Sequence, residues 1–350
     1  MINVLILCGG RSPEHEISLR SARNVIKALD TAKFEPIIVG INHSGKWIHL
    51  PAVPDGQHLG DGEEVRLLPG SPSLLQTKSG VTITPDVVFP VLHGPNGEDG
   101  AIQGLLQLLD VPFVGPNILG SAVAMDKDVA KSLLRQANIP VARGKMLTPF
   151  SSDTYETLSK EFGSILFVKP ANMGSSVGVH KVRNAAQFES ALKDAFQFDR
   201  KVIVEEMITG RELECAVIGF DEHIRVTTPG EVRAEEEYSF EEKYSESSVT
   251  QLDIPAKNLS AETIERLKDT AIRAFRALNC EIISRVDMFL IGDGKIYVNE
   301  INTLPGFTSI SMYPALWQNE GLSYSDLITE LLQLAVQRHR LLKGLKKTRL

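Results

Sequence analysis

The stretch RVDMFLIGDGKIYVNEIN, residues 285–302, gathers side chains that could do chemistry together. Asp293-Gly294 between two apolar runs reads as a two-residue β-hairpin turn. Pairing outward from that turn sets Gly292 opposite Lys295, Asp287 opposite Glu300 and Arg285 opposite Asn302. Side chains two apart share a strand face, so these four polar groups converge at one end of one face. Phe289, Ile291, Ile296 and Val298 fill the rest of that face. Val286, Met288, Leu290, Tyr297, Asn299 and Ile301 fill the other. A hairpin this apolar on both sides is buried, with its polar end opening into a cleft. Opposed carboxylates repel; a cation between them, or protonation of one, removes the repulsion. Two hard oxygens and an Asn carbonyl suit Mg²⁺ or Mn²⁺ that also holds phosphates. The alternative, an exposed hairpin end with ordinary charges, fits the apolar flanks poorly. A one-residue slip of the turn would undo the pairing.

Residues 169–178 read KPANMGSSVG. Gly174, Ser175, Ser176 and Gly178 form a loop whose N–H groups can approach phosphate oxygens, and Lys169 at its base adds a point charge. The order is not GxxxxGK[ST], and both flanks read as strands, whereas a Walker-type loop opens a helix. No GxGxxG follows the first apolar run, which argues against a dinucleotide site. Alone, the loop is equally a plain flexible connection.

The elements that must position these groups are legible in outline. Residues 2–8 are a continuous apolar run that suits a strand buried on both faces. A helix follows with Ala22, Val25, Ile26 and Leu29 at helical spacing, starting near Ser12-Pro13 or Ser18. Segments 34–41 and 86–92 read as strands and 101–109 as a helix, a doubly wound α/β pattern over the first ~120 residues. The stretch 115–134 marks a hand-over to a second domain. Segments 164–169 and 177–182 read as strands around the Gly/Ser loop, and 201–206 with 212–218 as an antiparallel pair around Thr209-Gly210. Residues 229–250, acidic and without period, read as a lid. The basic tail from Gln337 reads as a solvated helix end.

The chain has 350 residues, which suits two or three domains. A net charge of −7 speaks against nucleic acid as a partner. Cys8, Cys215 and Cys280 are too scattered for a disulfide framework or a metal site. MINVLILCGG lacks the basic start of a signal peptide, and no apolar run approaches a membrane span. A cytoplasmic enzyme with no membrane partner is expected.

Taken together, the motifs GGRSPEHEIS (9–18), HGPNGEDG (93–100), MDK (125–127), KPANMGSSVG (169–178), EEKY (241–244), RVD (285–287) and NEINTLPGFTSISMYP (299–314) resemble those of the D-alanine–D-alanine ligases of the ATP-grasp superfamily. The resemblance covers nearly the whole chain, in the family's order and approximate spacing. It implies a three-domain α/β ATP-grasp fold: a Rossmann-like parallel-sheet domain at 1–122, a central domain at 123–213 and a catalytic C-terminal domain at 214–350 carrying the lid. The central and C-terminal α+β domains would clamp ATP between two antiparallel sheets. It implies that a D-alanyl phosphate forms at the expense of ATP and is then attacked by a second D-alanine, giving dipeptide for peptidoglycan precursors. A D-alanine–D-lactate or D-serine ligase, or another ATP-grasp carboxylate–amine ligase, is the alternative. A homodimer is also implied.

By the same resemblance Asp287, Glu300 and Asn302 match the ligands of Mg²⁺ or Mn²⁺, two ions being expected. Lys127, Lys169, Lys243, Ser175 and Ser176 match contacts to ATP, with Glu205, Ile208 and Glu212 near adenine and ribose. Arg285 and the Gly306 N–H match oxyanion donors. Glu14 matches the anchor of the first D-alanine's amino group and joins Ser175 and Tyr244 in a hydrogen-bonded triad. Ser311, with neighbouring Met312, matches the second D-alanine's site, and His93 and Glu98 lie in the first-domain loop that lines the substrate end. Tyr244, where the lactate-using members carry Phe, favours an amine nucleophile.

Overall fold

In the computed structural model, which describes residues 1–56, 58–60, 62–70, 74–233 and 251–346, the N-terminal apolar run is a strand paired on both sides. Seven strands make this first sheet: β1 (Ile2–Gly9), β2 (Phe34–Ile41), β3 (Trp47–Leu50), β4 (Glu63–Leu67), β5 (Leu75–Thr77), β6 (Thr82–Ile83) and β7 (Val87–Pro90), in the order β6-β5-β4-β3-β2-β1-β7. Alternation explains the unbroken apolar run in β1. Val4 and Ile6 pack with Leu19, Ala22 and Val25 of helix α1 (His15–Ala28), while Leu5 and Leu7 pack with Ile102 and Leu106 of α2 (Ala101–Leu108).

The doubly wound expectation holds only for β2, β1 and β7, which are parallel. From β2 outward the sheet continues as antiparallel hairpins through β3, β4, β5 and β6. Those strands are short and half-exposed, and so lack a readable period. The start of α1 also differs. Its cap position is Glu14, without a side-chain cap bond. Ser18 instead accepts from the Gly9 N–H at 2.7 Å and donates to the Val91 carbonyl, tying the ends of β1 and β7 together.

Helices α3 (Ile118–Met125) and α4 (Lys127–Gln136) lead into a four-stranded antiparallel sheet of β8 (Gly144–Leu147), β9 (Leu166–Pro170), β10 (His180–Val182) and β11 (Val202–Glu206), in the order β10-β9-β11-β8. Helices α5 (Tyr155–Phe162) and α6 (Ala185–Phe198) cover one face: Leu158, Phe188 and Ala191 pack on Leu166, Val168, Val202 and Val204. Lys169 and Glu205, offset by one residue from that set, lie on the opposite face.

The third sheet contains β12 (Arg211–Gly219), β13 (Arg225–Val226), β14 (Gly230–Arg233), β15 (Gln251–Asp253), β16 (Ile282–Leu290) and β17 (Ile296–Asn302), in the order β15-β14-β12-β16-β17 with β13 on β12. Segments 201–206 and 212–218 therefore do not pair with each other. β11 pairs with β9 and β8, and β12 with β16 and β14. Helix α7 (Ala261–Ala277) covers one face through Leu267, Ala271 and Phe275, packed on Leu213, Cys215, Val286 and Met288.

The 285–302 hairpin reaches its paired ends by a different route from the one expected. The loop has three residues, with Ile291 N–H bonded to Lys295 O, so Leu290 faces Ile296 and Met288 faces Val298. A bulge at Asn299 then restores Asp287 opposite Glu300 and Arg285 opposite Asn302. The change moves side chains between faces. Ile296 and Val298 join Val286 and Met288 in the core, and Tyr297, opposite Phe289, replaces them on the polar face.

Helices α8 (Met312–Asn319) and α9 (Tyr324–Lys343) close the chain, α8 against β12 of the third sheet and α9 between α1 and β7 of the first and β16 of the third. The basic end of α9 is not simply solvated. Arg338 is buried, donates to the Gly115 and Phe113 carbonyls and to Glu281, and lies over the Phe113 ring at 4.6 Å. His339 and Lys343 both reach Asp110. Among the described residues no helix is long and apolar enough to cross a membrane.

Candidate active site

Three carboxylates stand in a row across the third sheet. Register places Glu214 of β12 beside Asp287 of β16, and Asp287 beside Glu300 of β17. Arg285 is one step along on the same face, between Ala216 and Asn302. Its guanidinium grips Asp287 with two bonds of 2.7 Å and meets Glu214 at 2.9 Å. The Asn302 amide donates to Asp287 at 2.9 Å. Burial opposes the charge on Arg285, but Asp287 and Glu214 outweigh it and hold its pKa well above the ordinary arginine value. The repulsion expected between Asp287 and Glu300 is thus relieved by Arg285 on one side and by Lys127, 3.4 Å from Glu300, on the other.

The second sheet carries the opposite arrangement. Glu205, 3% exposed, receives Lys169 and Lys131, each at 2.7 Å and each on a different carboxylate oxygen. Lys169 faces Ile203 across the β9–β11 pair, so Glu205 is its diagonal neighbour on one face. Burial would raise the Glu205 carboxyl, yet the two lysines outweigh it and hold it at about 2. Lys131 lies four residues after Lys127 on α4, hence on the same helix face. Lys127 itself donates to the Met173 carbonyl at 2.7 Å, joining the Gly/Ser loop to Glu300. Glu205, assigned by resemblance to the nucleotide's base, here holds lysines.

The loop at 174–178 reaches Glu14 of the first domain. Ser175 and Ser176 adopt φ of 50° and 61°, a left-handed backbone that costs a side-chain-bearing residue roughly 1–2 kcal/mol. The Ser175 hydroxyl donates to Glu14, offsetting part of that cost. Glu14 is buried among three segments. A Cβ added at Gly94, where φ is +71°, would sit 2.6 Å from its Oε2, and one at Gly174 3.2 Å, so both glycines let the backbone approach Glu14 closely.

His93 and Glu98 support the loop that follows β17. His93 Nδ1 donates to the Leu304 carbonyl (3.0 Å), Ser21 lies 3.2 Å from Nε2, and the Phe307 N–H reaches Ser21. Burial lowers the His93 pKa, which favours the neutral ring, and its two bonds make it a strut under the loop. Glu98 accepts from the N–H groups of Gly94 and Leu304. Burial first, and then the Glu14 charge, push its carboxyl up to about 8. Gly306 stands where a Cβ would meet the Ser311 hydroxyl at 2.8 Å. Ser311 precedes α8, and its oxygen is engaged by Thr308. Met312 is packed in the core against Gly230, so its side chain does not reach the cleft.

Ile208 lies between β11 and β12, in the connection joining the two sheets, and Glu212 sits on β12 two residues from Glu214. Lys243 and Tyr244, with most of the 229–250 lid, lie outside the described residues. The sequence reading missed Glu214 and Lys131. Glu214 was detectable as the second charge, after Glu212, on one face of a strand whose other face is Leu213, Cys215 and Val217. Lys131 was detectable by its i+4 relation to Lys127.

Two opposed sheets, a row of carboxylates and buried lysines define an ATP-grasp ligase. Residues 3–116 match the model for the D-ala D-ala ligase N-terminus and residues 133–333 that for the C-terminus. The chain is 45% identical to a D-alanine–D-alanine ligase of Oceanobacillus iheyensis, over 98% of both chains. Among solved structures, the D-alanine–D-alanine ligase from Coxiella burnetii superposes with a TM-score of 0.85 at 36% identity, covering 98% of this chain and 97% of that one. The VanG D-Ala:D-Ser ligase from Enterococcus faecalis does so at 0.83 and 35%, covering 95% and 99%. The chain belongs to the D-alanine–D-alanine ligase family.

Proposed function

We propose that this cleft joins two D-alanine molecules with ATP in the cytoplasm and supplies the dipeptide for peptidoglycan precursors. The observation that carries the reading is the pairing of opposite charge surpluses across one cleft, inside a chain of this family. Lysines 127 and 169 receive the phosphates, and the Gly/Ser loop with Ser175 and Ser176 closes over them. Ile208 and Glu212 border the base and ribose, and Lys243 completes the ATP contacts. The chain would act as three units at 1–122, 123–213 and 214–350, the second boundary falling inside β12, and as one half of a homodimer.

The residues present fit a divalent cation. Asp287, Glu300 and the Asn302 carbonyl are hard oxygen donors, and with Glu214 the row carries three negative charges around a single arginine. They would hold one or two Mg²⁺ or Mn²⁺ ions, which supply charge neutralisation on the transferring phosphoryl group. Glu214 keeps Arg285 anchored and charged when Asp287 turns to a cation, leaving the guanidinium to face the substrate.

Glu14 holds the first D-alanine by its ammonium, within the triad with Ser175 and Tyr244, and His93 and Glu98 brace that end. The carboxylate oxygen of that D-alanine forms a bond to the γ-phosphorus as the bond to ADP breaks. The second D-alanine, set by Ser311 and the backbone near Met312, attacks the acyl carbon through its amine. Arg285 and the Gly306 N–H stabilise the oxyanion. The carbon–oxygen bond to phosphate then breaks, and the amine's displaced proton leaves with the phosphate. The lid excludes water that would hydrolyse the acyl phosphate.

The VanG relative makes the second substrate the point to test. Phosphate release from ATP and Mg²⁺ is measured with D-alanine, L-alanine, D-alanine plus D-serine, and D-alanine plus D-lactate. Release with D-alanine alone, with stoichiometric dipeptide, is expected. Release only when D-serine or D-lactate is added would reassign the second site, and none in any mixture would overturn the ligase chemistry.

A further inference from the structure

Lys131 stands apart from the assigned groups. It is 2% exposed, and its ammonium is bound to Glu205 at 2.7 Å while Lys169 holds the other oxygen of the same carboxylate. One cation would balance one carboxylate, and burying a second lysine costs solvation. The surplus makes sense if one of the two must leave. Lys169 lies at the base of the Gly/Ser loop and is the lysine proposed for phosphate. If it were Glu205's sole partner, turning to phosphate would strand a buried carboxylate, which either holds the lysine back or takes up a proton. Lys131 comes from α4, a different element, and holds the second oxygen independently.

We propose that Lys131 is a positioning residue for nucleotide selection: it keeps Glu205 ionised and fixed, so that the oxygen Lys169 vacates accepts the 6-amino group of adenine. An ionised carboxylate is an acceptor only. It therefore matches a base bearing an amino group at position 6 and repels one bearing an oxygen there. The inference rests on the reading that Lys169 and Glu205 serve the nucleotide, and Lys131 adds to that reading the origin of base choice.

The test compares D-alanine-dependent phosphate release with ATP and with inosine triphosphate, which differs at the base by carrying 6-oxo. The wild type should prefer ATP strongly. Lys131→Met should raise KM for ATP about tenfold with kcat at saturation within about threefold, the pattern of lost binding. It should also shrink the ATP/ITP ratio of kcat/KM by about tenfold or more, because a protonated Glu205 donates to the 6-oxo group. Lys131→Arg should restore the preference. A residue that merely packs would lower both nucleotides equally and leave the ratio unchanged, which overturns the inference. If Lys131→Met does not fold, the double variant Lys131→Met/Glu205→Gln removes charge and countercharge together. Its ratio should equal that of Glu205→Gln alone, and a further fall would contradict the proposal. No release by the wild type with either nucleotide would instead overturn the underlying ligase reading.

Discussion

The charge clusters of the second and third sheets are built alike and biased oppositely. At the second sheet Lys169 of β9 and Lys131 of α4 share Glu205, and on the third one arginine joins Glu214 and Asp287, with Glu300 beside them. The first is left with positive surplus and the second with negative. On the proposed reading each pairs an exchangeable contact with a permanent one: Lys169 with Lys131 around Glu205, and Asp287 with Glu214 around Arg285. The lesson is that a buried ionic group can be released to a ligand when a second partner remains, because the cost of an uncompensated charge is then never met in full. On the function proposed above, surplus sign would decide which ligand each cluster draws, phosphate on one side and a divalent cation on the other. Lys127, between Met173 and Glu300, links the two.

The comparison can be broken most sharply at Asp287. Asp287→Asn keeps the shape and removes the negative charge. Phosphate release should fall about a thousandfold in kcat, with the fold intact by circular dichroism. Lys169→Met attacks the other cluster. It should lower kcat/KM for ATP about a hundredfold and leave the KM for D-alanine nearly unchanged. A remote ion pair sharpens the contrast. Arg338→Met strands Glu281 and two carbonyls, so chemical denaturation should show a loss of about 3 kcal/mol in stability. Phosphate release should nevertheless stay near wild type below the melting transition.

The smallest expected effect is a pH dependence at Glu98. Its folded pKa, about 8, lies above the unfolded value near 4.5, so the folded state holds the proton more tightly. Stability from this group is complete below the unfolded value and is lost as pH rises through about 8. Glu98→Gln, which does not ionise, should flatten that fall. The melting temperature of the variant relative to wild type should therefore climb between pH 5 and pH 8, and a constant difference would remove Glu98 as the cause.

Much of this was legible in the sequence where short motifs fix local geometry. The β1 run, the Gly/Ser loop and the ends of the 285–302 hairpin were read correctly from alternation and turn residues. The hairpin also shows why such reading is incomplete. Its turn was placed one residue too tight, and the bulge at Asn299 compensated, so the site pairing survived while Ile296, Tyr297 and Val298 exchanged faces. A bulge has no signature in composition. The antiparallel pairing of 201–206 with 212–218 failed for a different reason: neighbouring strands usually pair, and here the connection containing Ile208 carries the chain between sheets. Single buried charges were hardest to see. Lys131, Glu214 and Arg338 each look like surface charges until distant partners surround them.

The central claim, that the clusters divide phosphate from cation, is tested most directly by Mn²⁺ paramagnetic resonance and calorimetric nucleotide binding on the wild type, Asp287→Asn and Lys169→Met. Asp287→Asn should weaken Mn²⁺ in the presence of a non-hydrolysable ATP analogue about tenfold or more, without weakening metal-free nucleotide binding. Lys169→Met should do the reverse. Equal loss of both affinities in both variants would contradict the division and reduce the cleft to one undivided charge cluster.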